Sequence, residues 1–83
     1  MKVIVWAYPV TAVTIQTYND LETDEEPVYQ NNVWLDEVIP TLRELPDISR
    51  VEEIIVMGPR KYAGHVAEKI EEHFWDIPVK LGE

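Results

Sequence analysis

The segment Gly58-Pro59-Arg60-Lys61-Tyr62 places two cations directly after a Gly-Pro step. A helix is predicted to begin there, and the helix dipole disfavours positive charge at that end. Breaks of a local rule are commoner at functional sites. Backbone N–H groups and the two cationic side chains could hold a phosphate or carboxylate. We therefore predict an anion-binding candidate made of Gly58, Arg60, Lys61 and Tyr62. The alternatives are that both cations are solvated or that they pair with an acidic loop.

That loop is a short polar stretch with a cluster of carboxylates: Asp20, Glu22, Asp24, Glu25 and Glu26. The first three have the one, three, five spacing of a calcium-binding loop. Such a loop also needs Gly at its sixth position and Glu at its twelfth, whereas this chain has Glu25 and Asn31 there. We therefore expect no calcium site. The cluster is interpreted as a partner-binding patch, with an ordinary solvated loop as the alternative.

The other reactive residue types form no catalytic or metal-binding constellation. His65 and His73 would lie roughly 80° apart around a helix, so they cannot ligate one metal as an i, i+4 pair could. Ser49 is the only serine and has neither a nearby base nor a glycine elbow. The absence of cysteine excludes disulfides, thiolate metal sites and cysteine nucleophiles. We assign no catalytic residue, no metal ligand and no cofactor, and we predict a non-enzymatic protein.

The charge balance is strongly acidic, since sixteen acidic residues against seven basic ones give a formal net charge of −9. Such a surface repels nucleic-acid phosphates, which makes nucleic acid a poor partner. It suits a soluble protein, a basic protein partner or imitation of nucleic acid. No apolar stretch approaches the roughly 18–20 residues that span a membrane. We therefore expect no membrane contact and a cytoplasmic location.

The last third of the chain, residues 51–83, predicts the strand–helix–strand unit that would position the Gly58–Tyr62 segment. Glu53–Met57 is a near-continuous apolar run, which is typical of a strand buried on both faces. Helical spacing then runs from Arg60 to Trp75, and Asp76–Leu81 predicts a second strand. A unit of this kind is parallel and right-handed in nearly every known case. The fold class is therefore α/β.

The first third predicts an antiparallel hairpin followed by a short edge strand. Lys2–Tyr8 and Thr11–Tyr18 are rich in β-branched and aromatic residues, with a turn between them. Lys2–Tyr8 is apolar on both faces, so it should be a central strand. Pro27–Gln30 could add an edge strand, where proline is tolerated.

A helix is predicted between the edge strand and the strand–helix–strand unit. It would begin at Asn31 or Asn32 as N-cap and end near Leu45, with Trp34 in its apolar stripe. Pro40 would lie too deep for a first-turn proline, so it should kink or split the helix. Residues 1–83 are then one domain with a small mixed sheet and the element order β-β-(β)-α-β-α-β.

This order resembles the ribonuclease H-like fold, in which three antiparallel strands precede alternating helices and parallel strands. The stretch Ile54–Pro59, then a helix, then Ile77–Leu81 resembles the Holliday-junction-resolvase-like members. Nucleases of that superfamily hold two divalent cations with an acidic residue on the first strand and others near later strand and helix ends. Here Lys2–Tyr8 contains no acid, Met57-Gly58-Pro59 adds none, and Glu83 is the terminal residue. The resemblance therefore implies a degenerate, non-catalytic version.

Two adjacent aromatic residues bear on the kind of partner that the sequence predicts. Trp75 follows Phe74 at the end of the last helix, so one of the two should be near the surface, and an exposed Trp beside acids suits a protein interface. We predict a small acidic interaction protein: an inhibitor, an adaptor or an assembly subunit. Its partner would be a basic protein or a second copy of the chain, and its size and charge suit an accessory protein of a phage. The alternatives are a module that binds a phosphorylated ligand or nucleic-acid end at Gly58–Tyr62, and a divergent metal-dependent nuclease.

Overall fold

The computed structural model describes residues 1–8, 12–19, 26–45 and 48–82. Its strands and helices, in chain order, are β1 (Lys2–Ala7), β2 (Ala12–Tyr18), β3 (Tyr29–Trp34), α1 (Val38–Arg43), β4 (Glu53–Met57), α2 (Arg60–His73) and β5 (Val79–Leu81). Single 3₁₀ turns at Leu35–Glu37 and Ile48–Arg50 precede α1 and β4. The predicted α/β class is confirmed. No helix in the described ranges is long and apolar enough to cross a membrane.

The five strands form one mixed sheet in the spatial order β3-β2-β1-β4-β5. β1 pairs antiparallel with β2 and parallel with β4, while β2–β3 is antiparallel and β4–β5 is parallel. The predicted hairpin therefore exists, although its turn at Pro9, Val10 and Thr11 lies outside the described residues. β1 is central, as expected for a strand that is apolar on both faces.

One face of the sheet carries the apolar core. Side chains alternate between the two faces of a strand, and the apolar strand residues buried on the core face are Val3, Val5, Ala7, Val13, Ile15, Ile54 and Val56. Both helices bury apolar residues in the same cluster, namely Val38, Ile39 and Leu42 of α1 and Ala63, Val66, Ala67 and Ile70 of α2. Within the described ranges, both helices thus cover one face and leave the other without a helix.

The predicted helix start at Asn31 or Asn32 is wrong. Both residues lie in β3, where Asn31 is opposite Ile15 and Asn32 is opposite Thr14. The edge strand does exist, but it runs from Tyr29 to Trp34 instead of Pro27–Gln30. Pairing with β2 supplies a full ladder of backbone hydrogen bonds, which an isolated N-cap cannot match. Residues that the helical pattern had assigned to a first turn therefore lie in β3.

Pro40 does not kink a long helix, because α1 is only six residues long and begins at Val38. Pro40 is therefore in the first turn, where the backbone N–H groups have no intrahelical acceptor and a proline costs no hydrogen bond. The 3₁₀ turn Leu35–Glu37 absorbs the residues before it. The expectation that Pro40 lies too deep depended on the wrong helix start.

The end of α2 is two residues earlier than predicted, at His73. Phe74 is buried in the core, whereas Trp75 is 87% exposed, as expected for one member of this pair. The guanidinium of Arg43 in α1 lies over the Phe74 ring, 5.9 Å from its centroid. This contact connects the ends of the two helices. The last strand is shorter than predicted and begins at Val79 rather than Asp76.

Candidate functional site

The sheet face that neither described helix covers carries an organised set of side chains, and we call it the open face. Strand register and alternation assign to it Lys2, Ile4, Trp6, Ala12, Thr14, Gln16, Tyr18, Gln30, Asn32, Trp34, Glu53, Ile55, Met57 and Lys80. It carries two lysines and one glutamate, and is thus close to neutral in a chain of net charge −9. Its chemistry changes from polar on β2 and β3 to apolar on β1 and β4.

A row of hydrogen-bonded side chains joins the three strands on the polar side. The indole Nε1 of Trp6 donates to Oε1 of Gln16 at 2.8 Å, and Nε2 of Gln16 donates to Oε1 of Gln30 at 2.9 Å. The hydroxyl of Tyr18 donates to the same Gln16 oxygen at 3.4 Å. Because its amide oxygen accepts two bonds and its amide nitrogen donates one, Gln16 is held in a single orientation.

A second hydrogen-bonded pair lies beside this row. The hydroxyl of Thr14 donates to Oδ1 of Asn32 at 2.7 Å, and Thr14 is buried although it is on the open face. Together the two networks form the floor of a broad depression of about 790 Å³, edged by Trp6 and Tyr8. No buried side-chain nitrogen or oxygen in the described ranges lacks a hydrogen-bond partner. The floor of the depression is therefore a preorganised polar surface.

The apolar side of the open face is formed by Ile4, Ile55 and Met57, all of which are only half-buried. Ile4 is opposite Ile55 across β1 and β4, and Trp6 is opposite Met57. The side chain of Met57 lies over Gly82, where a Cβ atom would collide with its sulfur. Half-exposed apolar side chains on neighbouring strands, rimmed by polar residues, are typical of interaction surfaces.

Charged residues occupy one corner of the open face. Glu53 accepts ion pairs from Lys80 at 3.1 Å and from Lys2 at 3.8 Å. Both lysines are well exposed to solvent, so each pair contributes only roughly 0–1 kcal/mol to stability. The two ion pairs nevertheless hold the Glu53 carboxylate at the start of β4, at the end of the strand opposite to Gly58.

The predicted anion-binding residues lie beyond the C-terminal end of β4. Gly58 has φ 121°, and a Cβ atom there would collide with the carbonyl oxygen of Ala7, so glycine is required by the backbone path alone. No side chain caps α2, and the carbonyl of Pro59 accepts from the N–H groups of Tyr62 and Ala63, at 2.9 Å each.

The two cations of that segment do not face the same space. Arg60 lines a cavity of about 290 Å³ together with Gly58 and Gly82. Lys61 and Tyr62 line a different cavity of about 420 Å³ on the other side of the helix start. The structure therefore places the four residues next to one another in the chain but divides them between two cavities.

The predicted partner-binding residues are only partly described. Asp20, Glu22, Asp24 and Glu25 lie outside the described residues, whereas Glu26 is exposed just before β3. Trp75, which follows the end of α2, is exposed, and so it is the member of the Phe74–Trp75 pair that lies at the surface. Within the described ranges, no three His, Asp or Glu side chains come together in a way that could hold a metal ion.

Most of the open face was not predicted from the sequence, although the pattern of β2 indicates part of it. The alternation of Thr14, Gln16 and Tyr18 with buried residues indicates one wetter face of β2. The matching polar position Asn32 was hidden by the wrong helix assignment of residues 31–34, whereas Gln30 was the last residue of the predicted edge strand. Comparison with known proteins gives no matching family model and no curated protein of significant similarity.

Proposed function

We propose that this protein is a non-catalytic interaction domain that binds a protein partner through the open face. The observation that carries the proposal is a sheet face that neither described helix covers and that holds half-exposed apolar residues beside an ordered hydrogen-bond network. Trp34, at its edge, is 60% exposed. Tryptophan anchors with a surrounding polar rim are the usual source of binding energy at protein interfaces.

The partner's chemistry follows from the charge of the open face and from the acidic residues that precede β3 in the sequence. The open face is nearly neutral and half apolar, so it suits a well-packed contact of low charge. The acidic stretch that includes Glu26 suits basic groups on the same partner, which would speed association and make it sensitive to salt. An inhibitor, an adaptor or an assembly subunit would use such a combination, and a second copy of the chain is a further candidate for the open face.

We also propose a ribonuclease H-like fold that has lost its catalytic site. The proposal is supported by the order β3-β2-β1-β4-β5, with three antiparallel strands followed by parallel ones. β1 carries no carboxylate, and the carboxylate of β4, Glu53, is engaged by two lysines at the start of the strand. A two-metal site needs converging carboxylates. Cleavage of DNA or RNA with magnesium or manganese would contradict the non-catalytic proposal and support a divergent nuclease.

A second candidate function is binding of a phosphorylated ligand or nucleic-acid end by Gly58, Arg60, Lys61 and Tyr62. It is favoured by a helix start that has no side-chain cap and no acidic residue in its first turn. Because the two cations line different cavities, Arg60 is the better candidate for a phosphate at the strand ends. Arg60→Ala should then abolish phosphate binding while Lys61→Ala leaves most of it.

The main proposal is tested by affinity capture from lysate of the source cells with three versions of the tagged protein. Trp34→Glu places a charge on the open face, and Leu81→Glu places one on an exposed position of β5 that alternation assigns to the opposite face. We expect one stoichiometric protein that Trp34→Glu loses and Leu81→Glu retains. A protein lost equally from both variants, or none from folded wild type, would contradict the proposal.

A further inference from the structure

A cavity of about 420 Å³ lies between α2, the β1–β2 hairpin and the turn before α1, next to the open-face depression. Its volume is within the range of about 300–1,000 Å³ that is typical of small-molecule sites. Four apolar residues line its interior, namely Ala12, Val13, Leu35 and Val66. Val13 and Val66 are buried core residues, so the floor of the cavity is fixed by the fold.

The polar part of the lining comes from the start of α2 and the end of β1. Lys61, Tyr62 and His65 lie along one side of the helix, and Tyr8 directly follows β1. Tyr8 is held at the hairpin by a backbone hydrogen bond of 3.2 Å from its N–H to the carbonyl of Ala12. The two tyrosines are 46% and 37% exposed, so their rings are accessible from solvent.

All four polar side chains of this lining can donate a hydrogen bond, and none is a carboxylate. The absence of a carboxylate from the lining stands out, because sixteen of the 83 residues of the chain are acidic. A ligand that accepts hydrogen bonds and carries negative charge is complementary to such a lining. Neither Lys61 nor His65 has the planar, two-pronged donor group with which Arg binds dianionic phosphate. A ligand with one negative charge therefore suits them.

We propose that this cavity binds a small apolar monocarboxylate, with its hydrocarbon or aromatic body on Val13, Leu35 and Val66. Its carboxylate would accept hydrogen bonds from Lys61 and His65 at the mouth, and the two tyrosines would pack along its sides. The site is distinct from the phosphate candidate at Arg60, which lines the neighbouring cavity. It shares Tyr8, Ala12 and Val13 with the lining of the open-face depression, but none of the hydrogen-bonded side chains that form the floor of that depression.

The proposal is tested with 3-phenylpropionate as the probe, by calorimetry and by chemical-shift mapping on the folded chain. Acetate lacks the apolar body and 3-phenylpropanol lacks the charge, so both should bind at least tenfold more weakly. Lys61→Gln should weaken binding of 3-phenylpropionate about tenfold, as expected for loss of one charged hydrogen bond. Arg60→Gln removes the same charge from the adjacent residue and should leave the affinity within twofold.

Shift changes at Tyr8, Leu35 and Val66 on addition of the probe would locate binding in the cavity. No saturable binding up to millimolar probe overturns the proposal. Equal affinity for 3-phenylpropanol overturns the role of the carboxylate, and equal losses for Arg60→Gln and Lys61→Gln overturn the site. The spectrum of each free variant reports folding, so a variant that fails to fold is replaced by His65→Gln, for which the same weakening is expected.

Discussion

Trp6 Nε1 donates a hydrogen bond of 2.8 Å to Gln16 Oε1 and joins the side chains of β1 and β2 on the open face. Gln16 in turn donates to Gln30 on β3, so one glutamine links three strands. The Trp6–Gln16 bond is partly buried, whereas the Gln16–Gln30 bond is exposed to solvent. The inner bond should therefore contribute more to stability than the outer one, because an indole N–H that loses its acceptor is only partly accessible to water.

We predict that Gln16→Leu lowers the free energy of unfolding by about 1 kcal/mol, because it leaves the Trp6 donor without its partner. Gln30→Leu removes only the exposed bond and should change stability by less than about 0.5 kcal/mol. Urea denaturation followed by circular dichroism measures both. Equal losses for the two variants would show that the network acts as a whole instead of through its inner bond.

Two glycines should respond in opposite ways to the same substitution. Gly58→Ala adds a Cβ at positive φ and against the Ala7 carbonyl, so it should destabilise the fold by about 1–3 kcal/mol or more. Gly64 lies inside α2 with open space around the position of a Cβ. Gly64→Ala should stabilise the protein by up to about 1 kcal/mol through helix propensity. Thermal denaturation of both variants gives the comparison, and stabilisation by Gly58→Ala would contradict the backbone described for this turn.

The residues after Met57 show how much of the fold can be predicted from sequence. An apolar run identifies β4 and helical spacing identifies α2, because each of these patterns extends over several residues. The Gly-Pro step marks the boundary between them. A content of β-branched and aromatic residues identifies β1 and β2, and alternation further indicates one wetter face of β2. The boundary at Asn31 was wrong because Asn is favourable both as an N-cap and in a polar edge strand, and only the pairing with β2 decides between them.

The candidate site was harder to predict than the fold. The open face exists because the crossovers through α1 and α2 lie on the same side of the sheet, and no local pattern in the sequence specifies that. The cavity at Lys61 combines residues from three separate segments, including Tyr8 and Leu35. Sequence spacing drew attention to Lys61 and Tyr62 but assigned Arg60 to the same site, because neighbours in the chain can face different cavities at a helix start.

The neighbours Phe74 and Trp75 should differ sharply in their effect on stability. Phe74 is buried in the core and under Arg43, so Phe74→Ala should cost about 3–5 kcal/mol. Trp75 is almost fully exposed, so Trp75→Ala should change stability by less than about 0.5 kcal/mol. Chemical denaturation measures both, and a large loss for Trp75→Ala would mean that its ring packs against the protein.

Two parts of the described structure, the open face and the end of α2, each expose a tryptophan. Trp34 lies on the open face and Trp75 follows α2, and both should tolerate alanine without loss of folding. If the open face binds the partner, Trp34→Ala should weaken the complex at least about thirtyfold, the loss of roughly 2 kcal/mol that is typical of a tryptophan hot spot. Trp75→Ala should then leave affinity within threefold. Titration calorimetry with the captured partner gives both values, and the reverse ranking would move the interface to the end of α2.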